Sequence, residues 1–308
     1  MMSNLITGAI GHTPLVKLRK VVPAGCADIY VKLEYFNPTG SFKDRMAISI
    51  IEQAETRGEL TGGMTVMECT AGGTGTALAM VCSVKGYPFT VVSSDAFAPD
   101  KLRAMRIFGA SLEILPSEGG RITPDLIPRM IQRVGQLQAE TGGYWTRQFE
   151  NRDALPGYRR MGDEIMEQLQ KPVDLFCAAV GTAGMFTGVS QSLRSRYPSL
   201  ELVVLEPASA PLLSKGQTGT HSIDGISVGF IPPLLERNLG FSLKTVHEAE
   251  ARNMARRLAA EEGILGGTST GLNVAAAIEL GLEKGPGYTI VTVACDSGLK
   301  YLQGGLFA

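Results

Sequence analysis

The chain has 308 residues, 44% hydrophobic, 19% charged and 6% aromatic, with a formal net charge of −1. That length and balance describe a folded protein with one large core or two modest ones, not a disordered or fibrous chain. The absence of a long Lys/Arg run argues against nucleic acid or an anionic membrane as the main partner, and so few aromatics leave little for base stacking. Cys26, Cys69, Cys82, Cys177 and Cys295 contain no Cys-x-x-Cys pair and read as reduced thiols. His12, His221 and His247 show no metal-ligand spacing, so no metal is expected. The opening MMSNLITGAIGHTPL lacks the basic flank and apolar core of a signal peptide. No apolar run reaches the ~18–20 residues that span a bilayer, so a soluble, cytoplasmic protein is expected.

In chain order, short β-branched runs recur, each followed by a glycine-rich turn and a stretch with helical spacing. TVMECT (65–70) leads through AGGTG into TALAMVCSVKG, where Ala77, Leu78, Val81 and Val84 fit one helix face. FTVVSSD (89–95) precedes the helical PDKLRAMRIFG, which Gly109 stops before the strand SLEILP (111–116). DLFCAAV (174–180) leads into GTAGMFTGVSQSLRSR, and ELVVLEP (201–207) and YTIVTVAC (288–295) are further buried-strand candidates. GELTGGM and EKGPGY read as surface turns. Apolar strands alternating with amphipathic helices predict a doubly wound α/β fold, a parallel sheet covered on both faces that binds ligands at its strands' carboxyl ends.

Three segments carry candidate chemistry. In NPTGSFKDR (37–45), Pro38 and Gly40 predict a turn, Ser41 a helix cap and Lys43 a place in the first helical turn. Lys43 is then either a solvated lysine or a reactive amine, because a cation at a helix N-terminus is disfavoured and a positive surrounding lowers an amine's pKa. In TAGGTG (70–75), free backbone N–H groups can bind a carboxylate or phosphate, or Thr74 simply caps a helix; the spacing is not a dinucleotide fingerprint. In GTAGMFTG (181–188), three glycines and Thr182 suit a phosphate cradle or plain helix-on-sheet packing. No Lys-Ser/Thr follows, so this is not a nucleoside-triphosphate loop. A first-turn lysine with a later phosphate cradle suggests an aldehyde cofactor that bears a phosphate.

With these motifs the chain resembles the cysteine synthase (O-acetylserine sulfhydrylase) and cystathionine β-synthase family of fold-type II pyridoxal-phosphate enzymes. The likeness runs from IGHTPLVKL through VKLEYFNPTGSFKDR, TAGGTG, RQFEN, GTAGMFTG, IDGISVGF and EEGILGGTSTG to SGLKYLQGGLF. It implies pyridoxal 5'-phosphate on Lys43, which also moves the α-proton. It implies a phosphate grip by Gly181, Thr182, Ala183, Gly184 and Met185, and a hydrogen bond from Ser269 to the pyridine nitrogen. Thr70, Ala71, Gly73 and Thr74 match the loop that closes on the substrate carboxylate, with Gly73 where the family has a cofactor contact. Gln148 matches a further carboxylate contact, and Gly225 lies beside the substrate amine. A neutral hydroxyl at Ser269 suits loss of a Cβ leaving group better than transamination.

The implied fold is two interleaved parallel-sheet, doubly wound domains with the cofactor in the cleft between them. A smaller mobile domain takes about residues 36–150, and a larger one takes about 13–35 with 151–308. The implied reaction is β-replacement on an activated L-serine, O-acetylserine by preference, through an aminoacrylate, with sulfide or another thiol-type nucleophile. The implied partners are a second copy in a homodimer and serine acetyltransferase. PTGSFKDR also resembles the lysine motif of threonine synthases and serine/threonine dehydratases, and a degenerate, non-catalytic binding role is a third reading. Three positions depart from the family: Ala71 stands for a serine, Gly73 for an asparagine and Met185 for a threonine. The first two remove side-chain hydrogen bonds worth on the order of 1.5–3 kcal/mol each to a charged group.

Overall fold

The computed structural model describes residues 5–120, 123 and 125–307. The chain divides into two compact units: one takes the residues up to Ile10 with Lys43–Ala154, the other Gly11–Phe42 and Leu155 onward. Among the described residues, the strands form one sheet of six and one of four. No described helix is long and apolar enough to cross a membrane.

The chain begins its second unit with β1 (Leu15–Lys17) and β2 (Asp28–Leu33), an antiparallel pair. It then builds the first unit from α1 (Lys43–Arg57), β3 (Val66–Cys69), α2 (Gly73–Lys85), β4 (Phe89–Ser94), α3 (Pro99–Ile107), β5 (Ser111–Leu115), α4 (Leu126–Thr141) and β6 (Tyr144–Trp145). These strands are parallel in the order β5-β4-β3-β6. Alternation along the strands feeds two cores. Val66 and Val91 pack with Ala47, Ile51, Leu78 and Val81, whereas Met67, Cys69 and Val92 pack with Leu126, Met130 and Val134 of α4. Both faces are covered, which is why these strands read as apolar runs rather than alternating ones.

The return to the second unit adds α5 (Ala154–Leu169), β7 (Leu175–Ala179), α6 (Gly184–Arg196), β8 (Glu201–Pro207), α7 (Leu212–Lys215), β9 (Ser242–Val246), α8 (Glu248–Arg257), α9 (Thr268–Lys284) and β10 (Thr289–Ala294). The sheet order is β1-β2-β10-β7-β8-β9, parallel apart from β1. Ile29, Val31, Leu175, Cys177, Val203, Leu205 and Ile290 pack with Leu272 and Ala276 of α9. Phe176 stacks on Phe186 of α6 at 5.7 Å between ring centroids.

In each unit the strand order reverses once. The first unit grows outward from β3 to β4 and β5, then places β6 on β3's other side; the second grows from β7 to β8 and β9, then places β10 on β7's other side. Such reversals open a crevice beyond the strands' carboxyl ends, where doubly wound sheets bind ligands.

The second unit also buries a polar cluster around the GHTP segment. Lys32 is 0% exposed and its Nζ lies 2.7 Å from Glu164, itself 10% exposed. The same Nζ donates to the Thr13 carbonyl at 2.6 Å and to Gln168 at 3.0 Å, and the His12 N–H donates to Glu164 at 3.0 Å. Thr13 and Asn37 both donate to Glu34, at 2.6 and 2.9 Å, and the Gly11 N–H donates to Asn37 at 2.8 Å. Asn37 opens the lysine motif, so this cluster fixes the start of the turn that leads to Lys43. Glu164→Ala removes a carboxylate 2.7 Å from a buried ammonium and is expected to cost about 3–5 kcal/mol, measured by urea unfolding. A loss under about 1 kcal/mol would show that the pair does not anchor the segment.

Candidate active site

The first unit's reversal, between β3 and β6, gathers Thr70, Ala71, Gly73, Thr74 and Gln148. The turn after β3 is tied down by Thr70, whose N–H donates to Val92 O at 3.1 Å and whose hydroxyl accepts the Gly72 N–H at 3.2 Å. Helix α2 starts at Gly73 behind Gly72, with no side chain capping it. Thr74 is therefore not the cap; it lies inside the first turn, and its hydroxyl donates to Gln148 Oε1 at 2.7 Å. Gln148 Nε2 in turn donates to the Cys69 carbonyl at 2.8 Å. Uncapped N–H groups beside two held polar side chains are an arrangement that suits an anion such as a carboxylate. Ala71 is half-buried and packs toward the α4 core, so the missing serine hydroxyl leaves the backbone as the main donor set.

Lys43 is the first residue of α1 and is buried. The preceding Phe42 donates its N–H to the Cys295 carbonyl, at the end of β10, at 3.1 Å. Ser41 forms an antiparallel bridge with Asp296. Asp44 is buried in the same first turn as Lys43.

The second unit's reversal, between β7 and β10, carries the remaining candidates. After Val180 the chain passes Gly181 and Thr182 to Ala183, the residue before α6, which has φ 63° and offers no side-chain cap. The first N–H groups of α6 thus point at the turn without a side-chain acceptor, which fits a phosphate. Gly181 is required by space: a Cβ there would overlap the Gly225 carbonyl oxygen. Gly225 is required by conformation, at φ 80° in open space. The structure thus brings these two predicted residues together, and the Ser227 N–H donates to Val180 O at 3.0 Å beside them. Met185 is buried in the first turn of α6 and supplies no hydroxyl. The hydroxyl of Thr187 is committed to Leu234 O at 2.7 Å.

Ser269 is buried in the first turn of α9. Its turn is locked to the end of β10: the Gly267 N–H donates to Asp296 O at 3.2 Å, and the Cys295 N–H donates to Thr270 Oγ1 at 3.1 Å. Asn273 braces the two strands at this reversal, accepting the Ala179 N–H and donating to Val293 O, each at 2.8 Å. Neither Asn273 nor Glu68, which organises the segment before Gln148, was singled out by motif reading. For Glu68 the signal was present, as one carboxylate in the apolar run TVMECT.

Cys69, Cys82 and Cys177 sit in settings that disfavour the thiolate. Burial pushes Cys82 and Cys177 up to about 12 and Cys69 well above its ordinary value, with the Glu68 carboxylate adding to the rise at Cys69. All five cysteines are free, and Cys26 alone among them is not buried.

The first unit carries a lysine that opens a helix, and the second carries an uncapped helix end that suits a phosphate and a buried hydroxyl in another helix's first turn. The family model of pyridoxal-phosphate dependent enzymes matches residues 6–296, and the chain belongs to that family. It is therefore a pyridoxal-phosphate dependent enzyme. It is similar to the cysteine synthase of Staphylococcus aureus (strain Mu50 / ATCC 700699), at 40% identity over 306 residues covering 98% of this chain and 96% of the relative. It is also similar to the O-ureido-L-serine synthase of Streptomyces lavendulae, 38% identical over 311 residues covering 99% and 92%. The crystal structure of a cysteine synthase from Entamoeba histolytica superposes with a TM-score of 0.92 at 32% identity, covering 100% of this chain and 91% of the other. These likenesses make it an enzyme of the cysteine synthase type.

Gly181→Ala is expected to displace the Gly225 backbone, lower the melting temperature and reduce cofactor retention, read as visible absorbance per chain after gel filtration. Full retention and an unchanged melting temperature would show that the loop does not depend on this contact. A thiol-specific reagent is expected to label only Cys26 in the native protein, and labelling of Cys82 or Cys177 before unfolding would contradict their burial.

Proposed function

We propose that this enzyme replaces the Cβ substituent of O-acetyl-L-serine with sulfide to give L-cysteine, with Lys43 as its cofactor-bearing and proton-moving residue. The observation that carries the reading is the pair of strand-order reversals, one holding the TAGGTG loop with Gln148 and the other the GTAGMFTG loop with the β10 end that anchors Ser269. Pyridoxal phosphate supplies the electron sink that lets the Cα proton and the Cβ substituent depart. The protein's own contributions are placement and proton transfer. Lys43 would hold the cofactor and, once its amine is released by the incoming substrate amine, would accept the Cα proton. The first N–H groups of α6 receive the phosphate, and those of α2, with Thr74 and Gln148, receive the substrate carboxylate. Ser269 hydrogen-bonds the pyridine nitrogen without protonating it, which favours leaving-group loss over transamination.

The similarity to an O-ureido-L-serine synthase supports a second nucleophile class, in which oxygen rather than sulfur bonds to Cβ. The proposal extends to a cytoplasmic homodimer, to a mobile smaller domain of about residues 36–150, to the cofactor lying between the two domains and to a complex with serine acetyltransferase, all supported by family likeness.

The test is the visible absorbance of the holoenzyme. O-acetyl-L-serine alone is expected to move the cofactor band to longer wavelength, and sulfide to restore it with release of cysteine. A band indifferent to O-acetyl-L-serine would overturn the donor. Ammonia and a 2-oxoacid in place of cysteine would place the enzyme with the dehydratases. Lys43→Ala is expected to abolish turnover, and normal activity in that variant would contradict its role.

A further inference from the structure

The carboxylate of Glu68 sits in the buried strand β3 and is 1% exposed. A carboxylate there costs several kcal/mol unless its oxygens are satisfied. Oε1 accepts the Cys69 N–H at 2.8 Å and the Trp145 indole N–H at 3.2 Å. Oε2 accepts the Thr146 hydroxyl at 2.7 Å and the Gln148 N–H at 2.8 Å. With two donors on each oxygen, the group acts as a four-way acceptor, a task the ionised form suits and an amide or alkyl side chain does not. Burial pushes its carboxyl above the ordinary range, and the four donors oppose that shift.

Three of the four donors come from the segment Trp145–Gln148. Within it Arg147 adopts φ 49°, a left-handed conformation that costs a non-glycine residue roughly 1–2 kcal/mol. Its two neighbours, Thr146 and Gln148, both donate to the same oxygen of Glu68, so the carboxylate holds the chain through that single-residue turn. The Arg147 guanidinium lies 4.6 Å from the Trp145 ring centre, which secures the turn from outside. Because of the turn, the Gln148 side chain runs back to the Cys69 carbonyl and receives the Thr74 hydroxyl.

We infer that Glu68 is a positioning residue for the substrate carboxylate, acting through Gln148 and Thr74 rather than by contact with substrate. The inference rests on the assignment of the α2 N-terminus to that carboxylate. This buried anchor also accounts for how the loop, with Ala71 and Gly73 where the family has a serine and an asparagine, still presents a fixed set of donors.

The experiment is a double-mutant cycle on the holoenzyme with Glu68→Gln, Gln148→Ala and the pair. Each variant is titrated with O-acetyl-L-serine and followed by the cofactor band, with melting temperature measured in parallel. Each single variant is expected to raise the titration midpoint about tenfold, and the double variant is expected to bind no worse than the weaker single one. The cofactor band before titration is expected to stay unchanged. Should Glu68→Gln not fold, Thr146→Val removes one of the two donors on Oε2 and is expected to raise the midpoint several-fold. Independent, multiplying losses, or a lower melting temperature with an unchanged midpoint, would overturn the inference and leave Glu68 a purely structural group. If Gln148→Ala itself binds normally, the carboxylate-site assignment fails and takes this inference with it. Weakened binding in Gln148→Ala with normal binding in Glu68→Gln would overturn the inference alone.

Discussion

A parallel sheet whose later strands are added on opposite sides of an early one must open at its carboxyl edge, because the two connecting turns leave in opposite directions. Both units of this chain obey that constraint, at β3/β6 and at β7/β10. The turns that leave β3 and β7 are rich in glycine, and each ends in a helix without a side-chain cap. Uncapped N–H groups at those two ends suit anions through backbone alone, so the side-chain losses at Ala71, Gly73 and Met185 leave those donors in place.

Polar groups buried behind the turns supply the rigidity that backbone anion sites need. Lys32 with Glu164, and Glu34 with Thr13 and Asn37, fix the approach to Lys43 within the second unit. Glu68 does the same for the segment before Gln148 in the first, and Asn273 for the strand pair beside Ser269. Each is a charged or amide side chain in an otherwise apolar layer, and each has its hydrogen-bonding capacity used. A half-satisfied network of this kind would be worse than an apolar one, so these residues are sensitive positions despite touching no ligand.

Much of this was legible from the sequence. The strand–glycine–helix order placed β3, β4, β5, β7, β8 and β10 to within a residue or two, since buried parallel strands are short apolar runs with abrupt ends. The two glycine-rich loops drew attention because turns that can bind anions through backbone leave a glycine signature, whereas Ser269 entered only through the family resemblance. One local reading failed: Thr74 has a cap-forming side chain, but it lies inside the first turn of α2 and a tertiary partner, Gln148, takes its hydroxyl. Glu68 escaped attention because its four partners lie mostly about 80 residues away in sequence. Only the strand order brings them together.

The central claim is that Lys43 and no other lysine forms the covalent link to the cofactor. The most direct measurement is reduction of the holoenzyme with borohydride, which makes the lysine linkage permanent, followed by peptide mapping by mass spectrometry. The account predicts the added mass of a reduced pyridoxyl phosphate on Lys43 in the peptide bearing NPTGSFK, at near one equivalent per chain. Label on another lysine, or none on a preparation that shows the visible cofactor band, would contradict it.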